Sequence, residues 1–216
     1  MRLPLIAALA LVLAAAAPAP APSPFEPEIA AMEAADKAHP PEKGAVMFLG
    51  SSSIRLWTTL AEDFKGVPVV NRGFGGSQVA DSTRFAERIV IPYRPSRIVF
   101  YAGDNDIASG RTPAQVLSDF KALVKKLRKA LPGIRIAFVA IKPCPARWSF
   151  LAQVQEANAL VAAYAKTAKG LEYFDVFTPM LGADGQPLPG LYAADGLHLS
   201  PEGYRLWTRV IAPRLK

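Results

Sequence analysis

Ala45-Val46-Met47-Phe48-Leu49-Gly50-Ser51-Ser52-Ser53-Ile54-Arg55-Leu56-Trp57 reads as a buried strand, a tight polar turn and the opening of a helix. An unbroken apolar run of this length, bounded by turn residues, suits a strand covered on both faces. The same signature recurs downstream at Val67–Val70, Arg97–Ala102, Ile134–Ile141 and Leu171–Val176. Helical patterns fill the gaps. Ile54–Phe64 and Gln78–Ile89 are the first two. A third opens on Thr112-Pro113-Ala114-Gln115, a capping box with proline at its first position, and runs to about Leu131 before Pro132-Gly133. Phe150–Lys169 is the fourth, and Ser200-Pro201 opens a last helix to about Ile211. Strand and helix alternate with no hairpin signal between them. The expectation is one α/β domain, a three-layer α/β/α sandwich around a five-stranded parallel sheet.

Upstream, Phe25, Ile29 and Met32 fall at helical spacing among Glu26, Glu28, Glu33 and Asp36, which predicts a short amphipathic helix. Residues 38–44 read as a loop. Before them, Arg2 is followed by an apolar run from Leu3 to Ala17 and then by Pro18, Pro20, Pro22 and Pro24. This run of about 15 residues is too short for a bilayer, which needs about 20. Its basic start and small residues fit a secretory signal peptide. Residues 1–24 are therefore expected to be a signal peptide and Pro-rich segment, and 25–216 a single domain, secreted or periplasmic.

The chain has 216 residues, 51% of them hydrophobic and 20% charged, which excludes a disordered protein and supplies a full core. A single cysteine, Cys144, excludes an internal disulfide framework. In an exported protein it must be buried or inert. Two histidines and one cysteine are too few for a usual zinc site, so no metal is expected. Net charge is +7, or +6 once Arg2 leaves with the leader. A basic exported protein is drawn to acidic glycans or headgroups, although a plain solvated surface explains the charge as well. No nucleic-acid motif is visible, and no stable membrane insertion is expected after the leader is removed.

In doubly wound sheets ligands bind where strands end and helices begin, so the residues after each strand carry the functional question. Gly50-Ser51-Ser52-Ser53 offers a hydroxyl on a strand-to-helix turn, or simply a serine helix cap. Asn71-Arg72-Gly73-Phe74-Gly75-Gly76-Ser77 lets backbone N–H groups approach a ligand; Gln78 stands where a dinucleotide fingerprint requires its third glycine. Gly103-Asp104-Asn105-Asp106 lacks the alternating ligands and distant glutamate of an EF-hand, but an asparagine amide there can donate to an oxyanion. Asp195-Gly196-Leu197-His198 sets a carboxylate three residues from an imidazole. His39, in a Pro-rich loop, is a poor general base. Together these elements supply a nucleophile, backbone and side-chain donors, and a base with its orienter, which is the inventory of an acyl-transfer site.

In these four blocks the sequence resembles the GDSL/SGNH hydrolases, serine esterases and lipases on a flavodoxin-like α/β/α fold. The resemblance spans roughly residues 45–213. It implies Ser52, Asp195 and His198 as the catalytic residues and the N–H of Ser52, the N–H of Gly76 and the amide of Asn105 as the oxyanion hole, with no cofactor. The family's Gly-Asp-Ser reads Gly50-Ser51-Ser52 here. Ser51 can still hydrogen-bond within the turn but brings no charge, and the three consecutive serines leave Ser51 and Ser53 open as alternative nucleophiles. The loss of the aspartate bears on the rigidity of the turn, and so on rate, more than on reaction type. Phe74, Ile107, Arg147 and Trp148 are expected at the substrate rim, where Arg147 beside Trp148 suits a sugar or an anionic headgroup or else packs as a surface pair. The expected substrates are small-molecule, glycan or lipid esters, acetylated carbohydrates first and lysophospholipids second. The rival expectation is a non-catalytic exported glycan- or lipid-binding protein that keeps the cleft.

Overall fold

A computed structural model describes residues 23–215. The expected leader, residues 1–24, lies outside the described residues except for its last two. Five strands, β1 (Val46–Gly50), β2 (Val69–Gly73), β3 (Arg97–Tyr101), β4 (Arg135–Val139) and β5 (Leu171–Phe174), form one sheet in the order β2-β1-β3-β4-β5. Every pairing is parallel. The order reverses between β1 and β3, and in such sheets the crevice beyond the strand ends at that point is where ligands bind.

Helices cover both faces. Helix α1 (Glu26–Ala38) packs with α4 (Val79–Ile89), α6 (Pro113–Ala130) and α7 (Leu151–Lys166) on one side. The core there contains Phe74, Phe85, Phe100, Phe120 and Phe138. The opposite face carries α2 (Ser52–Arg55), α3 (Leu60–Asp63) and α8 (Pro201–Leu215), with Phe48, Trp57, Tyr101 and Trp207 in its core. α6 begins as its sequence predicts: Thr112 Oγ1 accepts from Gln115 N, and Gln115 Oε1 accepts from Thr112 N. Helix α5 (Asp104–Ala108) stands directly after β3.

Three elements depart from their sequence patterns for identifiable reasons. The run 54–64 is not one helix but two short ones, because Trp57 turns inward and is fully buried against Phe48, Phe64 and Trp207. Its indole N–H donates to Asp63 Oδ2 at 2.6 Å, which fixes the break. Strand β2 runs to Gly73 rather than ending at Val70. Asn71 and Arg72 look like loop residues, but each has a built-in partner. Asn71 Nδ2 donates to Ile54 O at 2.6 Å, and Arg72 forms a buried pair with Asp36 of α1 at 2.7 Å. Residues 104–108, which are not among the predicted helices, coil into α5.

Candidate active site

The C-terminal ends of β1, β2 and β3 lie side by side, with Gly50 level with Gly73 and Tyr101. Both glycines are sterically required. A Cβ on Gly50, whose φ is +148°, would sit 1.9 Å from the carbonyl oxygen of Tyr101. One on Gly73 would sit 2.1 Å from the backbone nitrogen of Arg55, so β2 can approach α2 only without a side chain there. The chain therefore leaves β1 tightly and enters α2 at once.

That turn sorts the three serines. Ser51 and Ser53 are buried, whereas Ser52, the first residue of α2, is partly exposed. Ser53 Oγ accepts from Lys142 Nζ at 3.2 Å. Among the described residues Ser51 Oγ has no hydrogen-bond partner, so the expected bracing of the turn by its side chain is not seen. The turn is held through the backbone instead: Ser51 N donates to Tyr101 O at 3.0 Å.

Ser52 Oγ lies 3.0 Å from His198 Nε2, and His198 Nδ1 lies 2.5 Å from Asp195 Oδ2. The second oxygen, Asp195 Oδ1, accepts the N–H groups of Leu197 and His198, both at 2.9 Å. Those backbone donors, followed by the imidazole, hold the Asp195 carboxyl well below the usual carboxylate range. Its side chain is 48% exposed, so desolvation does little to oppose the ionised form. With Nδ1 committed to the carboxylate, Nε2 is the nitrogen that faces the serine.

The loop after β2 folds against this turn, since Ser77 Oγ reaches Phe74 O at 2.9 Å and Gly50 O at 3.4 Å. Gly76 adopts φ +78° there. The loop after β3 clamps it from the other side. Asn105 Nδ2 donates to Ser77 O at 3.0 Å, and the buried Asp106 carboxylate accepts Val79 N at 3.1 Å. Neither Ser52 N nor Gly76 N donates to any described residue, which leaves both free to bind a ligand oxygen.

Beneath Ser53 lies an ionic cluster that the sequence does not announce. Lys142 is 1% exposed, and its Nζ donates to Tyr101 Oη at 2.9 Å and Asp104 Oδ2 at 3.1 Å, besides Ser53. Burial opposes ionisation of Asp104, but Lys142 and then Arg147 outweigh it and hold its carboxyl below the usual range. A lysine one residue past an apolar strand gives no sign in sequence that it turns inward. Its length and the acid at Asp104 are the nearest thing to a signal.

Two of the four expected rim residues are not at a rim. Phe74 is fully buried, edge-on to Phe25 and Phe85, in the core that α4 covers. Ile107 is also buried, while Arg147 and Trp148 are partly exposed, and these three residues share a small pocket with Cys144 and Val154 among its other walls. The guanidinium of Arg147 donates through Nη2 to Asn105, and its Nη1 lies 3.5 Å from Asp104 with no hydrogen-bond partner among the described residues. Cys144 is buried, and burial pushes its thiol pKa up.

The family described as "GDSL-like Lipase/Acylhydrolase family" matches residues 48–206. No curated protein sequence matches the chain. Among solved structures, it is similar to a candidate platelet activating factor from Streptococcus pneumonia, at 22% identity and TM-score 0.79, covering 88% of this chain and 92% of that one. A candidate acylhydrolase from Bacteroides fragilis shares 25% identity at TM-score 0.71, over 84% of this chain and 93% of that one. A GDSL-like lipase from Bacteroides thetaiotaomicron shares 23% at TM-score 0.73, over 87% and 96%.

Proposed function

The chain belongs to the GDSL-like lipase/acylhydrolase family, and from that premise we propose that it is an exported serine esterase acting through an acyl-enzyme. The observation that carries the proposal is the unbroken contact from Asp195 through His198 to Ser52, at 2.5 and 3.0 Å. In this mechanism His198 Nε2 takes the proton of Ser52 as Oγ attacks the ester carbonyl. Asp195 fixes the tautomer and stabilises the imidazolium that forms. The carbonyl oxygen becomes an oxyanion, received by Ser52 N, Gly76 N and Asn105 Nδ2. His198 then returns its proton to the departing alcohol. Water, activated by the same imidazole, attacks the acyl carbonyl and frees Ser52.

The substrates proposed are short-chain esters, acetylated carbohydrates before lysophospholipids. One feature supports that order. Among the described residues, Leu56, at 38%, is the one large hydrophobic side chain that stands exposed, so little apolar surface is offered to a lipid interface.

Hydrolysis of p-nitrophenyl acetate by the wild type and by Ser52→Ala tests the assignment. Equal rates would remove the esterase reading. Labelling with a fluorophosphonate, followed by peptide mass spectrometry, identifies the nucleophile. The adduct is expected on Ser52, and one on Ser51 or Ser53 would overturn the assignment. Acetyl, butyryl and longer esters, run beside acetylated xylan and lysophospholipid, then rank the substrates.

A further inference from the structure

We propose that Arg147 is a positioning residue of the oxyanion hole, acting through the side-chain amide of Asn105; the inference rests on the esterase reading above. Arg147 lies 42 residues from Asn105 in the chain, and its Nη2 donates to Asn105 Oδ1 at 2.9 Å. The other end of the same amide, Nδ2, donates to Ser77 O at 3.0 Å. These two partners are of opposite kind: a guanidinium can only donate, and a carbonyl oxygen can only accept. Reversing the amide would set donor against donor at one end and oxygen against oxygen at the other. The orientation of Asn105 is thus dictated by its neighbours, and its second Nδ2–H is left for the substrate oxygen.

Arg147 does more than fix a rotamer. A full positive charge on Oδ1 draws electron density from the amide and makes the opposite N–H a stronger donor. The surrounding charges preserve that effect. Lys142 and Arg147 together face Asp104, at 3.1 and 3.5 Å, so the cluster carries one net positive charge beside the place where the oxyanion forms.

Arg147 is also placed by the catalytic turn itself. Its neighbour Ala146 donates its N–H to Gly196 O at 3.1 Å, between Asp195 and His198. Tyr192 Oη donates to Pro143 O in the same segment. The stretch 143–147 therefore joins the base to the oxyanion donor, although neither residue type nor spacing in the sequence suggests it.

The test is a double-mutant cycle with p-nitrophenyl acetate, a neutral substrate. Arg147→Ala is expected to lower kcat about 10-fold with KM nearly unchanged, and Asn105→Ala to lower it about 10²-fold or more. The double variant should be no worse than Asn105→Ala, and millimolar guanidinium should partly restore Arg147→Ala while leaving the double variant unchanged. Additive losses, or a loss confined to KM, would overturn the proposal. A second readout is independent of turnover: the Asn105 side-chain amide signals in an ¹H–¹⁵N spectrum should shift in Arg147→Ala. Unchanged signals would overturn it too. Failure of the esterase reading shows differently, as equal rates for the wild type and Ser52→Ala.

Discussion

Asp195 and His198 meet across three residues of chain on an open surface, whereas Asp104 and Lys142 meet across 38 residues in the interior. In the first case a tight turn supplies the partner, and backbone N–H groups two and three residues on hold the carboxylate. In the second, two strand ends must be brought together by the sheet before the charges can pair. In the proposed mechanism the open half contains the groups that exchange protons, and the closed half holds the framework around them. Only the contact that orients the imidazole is local; Ser52 meets His198 across 146 residues, so the fold has to bring nucleophile and base together. A surface pair is worth little to stability, but losing one partner of a buried pair is expensive.

The sharpest division is expected at the open half. Ser52→Ala or His198→Ala should lower kcat on the order of 10⁶-fold, as in other serine triads, with melting temperature barely moved. A matching loss of stability, read by calorimetry, would break the contrast. Asp195→Asn should cost about 10⁴-fold, since the amide stabilises the wrong tautomer of His198. Because the Asp195 carboxyl is held well below its usual range, it should contribute no ionisation to the acid limb of kcat/KM. Its appearance on that limb would show that Asp195 is not fixed as described.

The closed half should respond in the opposite sense. Lys142→Met leaves Asp104 with the longer Arg147 contact as its one remaining ion pair, beside the hydrogen bonds from Tyr101 Oη and Asn105 N, and urea denaturation should show a loss of about 3–5 kcal/mol. Adding Asp104→Asn should recover much of it. A single-variant cost below about 1 kcal/mol would mean that the ion pair does not hold this region.

The smallest expected effect concerns Asp106. Burial pushes its pKa from 3.8 up to about 6. Between those values the folded protein keeps a proton that the unfolded chain releases, so stability should fall as pH rises through this window. Asp106→Asn should flatten that part of the stability profile. An unchanged slope would assign it to other groups.

How much of this was legible beforehand depends on the range of the interaction. Three of the four blocks could be read because each follows an apolar strand, and strand ends of a parallel sheet converge by construction. The spacing of Asp195 and His198 announced their contact. The family resemblance pointed to Ser52, but the residues by themselves did not choose among the three serines. In the fold the choice follows from which way each side chain leaves a turn packed tightly against Tyr101 on β3 and Gly73 on β2. Phe74 and Ile107 were placed at the rim because they sit near motif residues, and Arg147 because its segment follows the fourth strand. Proximity in sequence does not say whether a side chain faces the cleft or the core.

Alternation of apolar runs and capped helices, together with the punctuation after each strand, was enough to fix the layered α/β architecture and the ingredients of the site. These signals are local, arising from periodicity, turn chemistry and short spacing. What needed the folded molecule was the burial of Lys142, the orientation of Asn105 by Arg147 and the accessibility of Ser52 alone among its neighbours. Each depends on groups from separate strands arriving within about 3 Å of one another, and no residue carries a mark of its distant partner until the chain has closed around both.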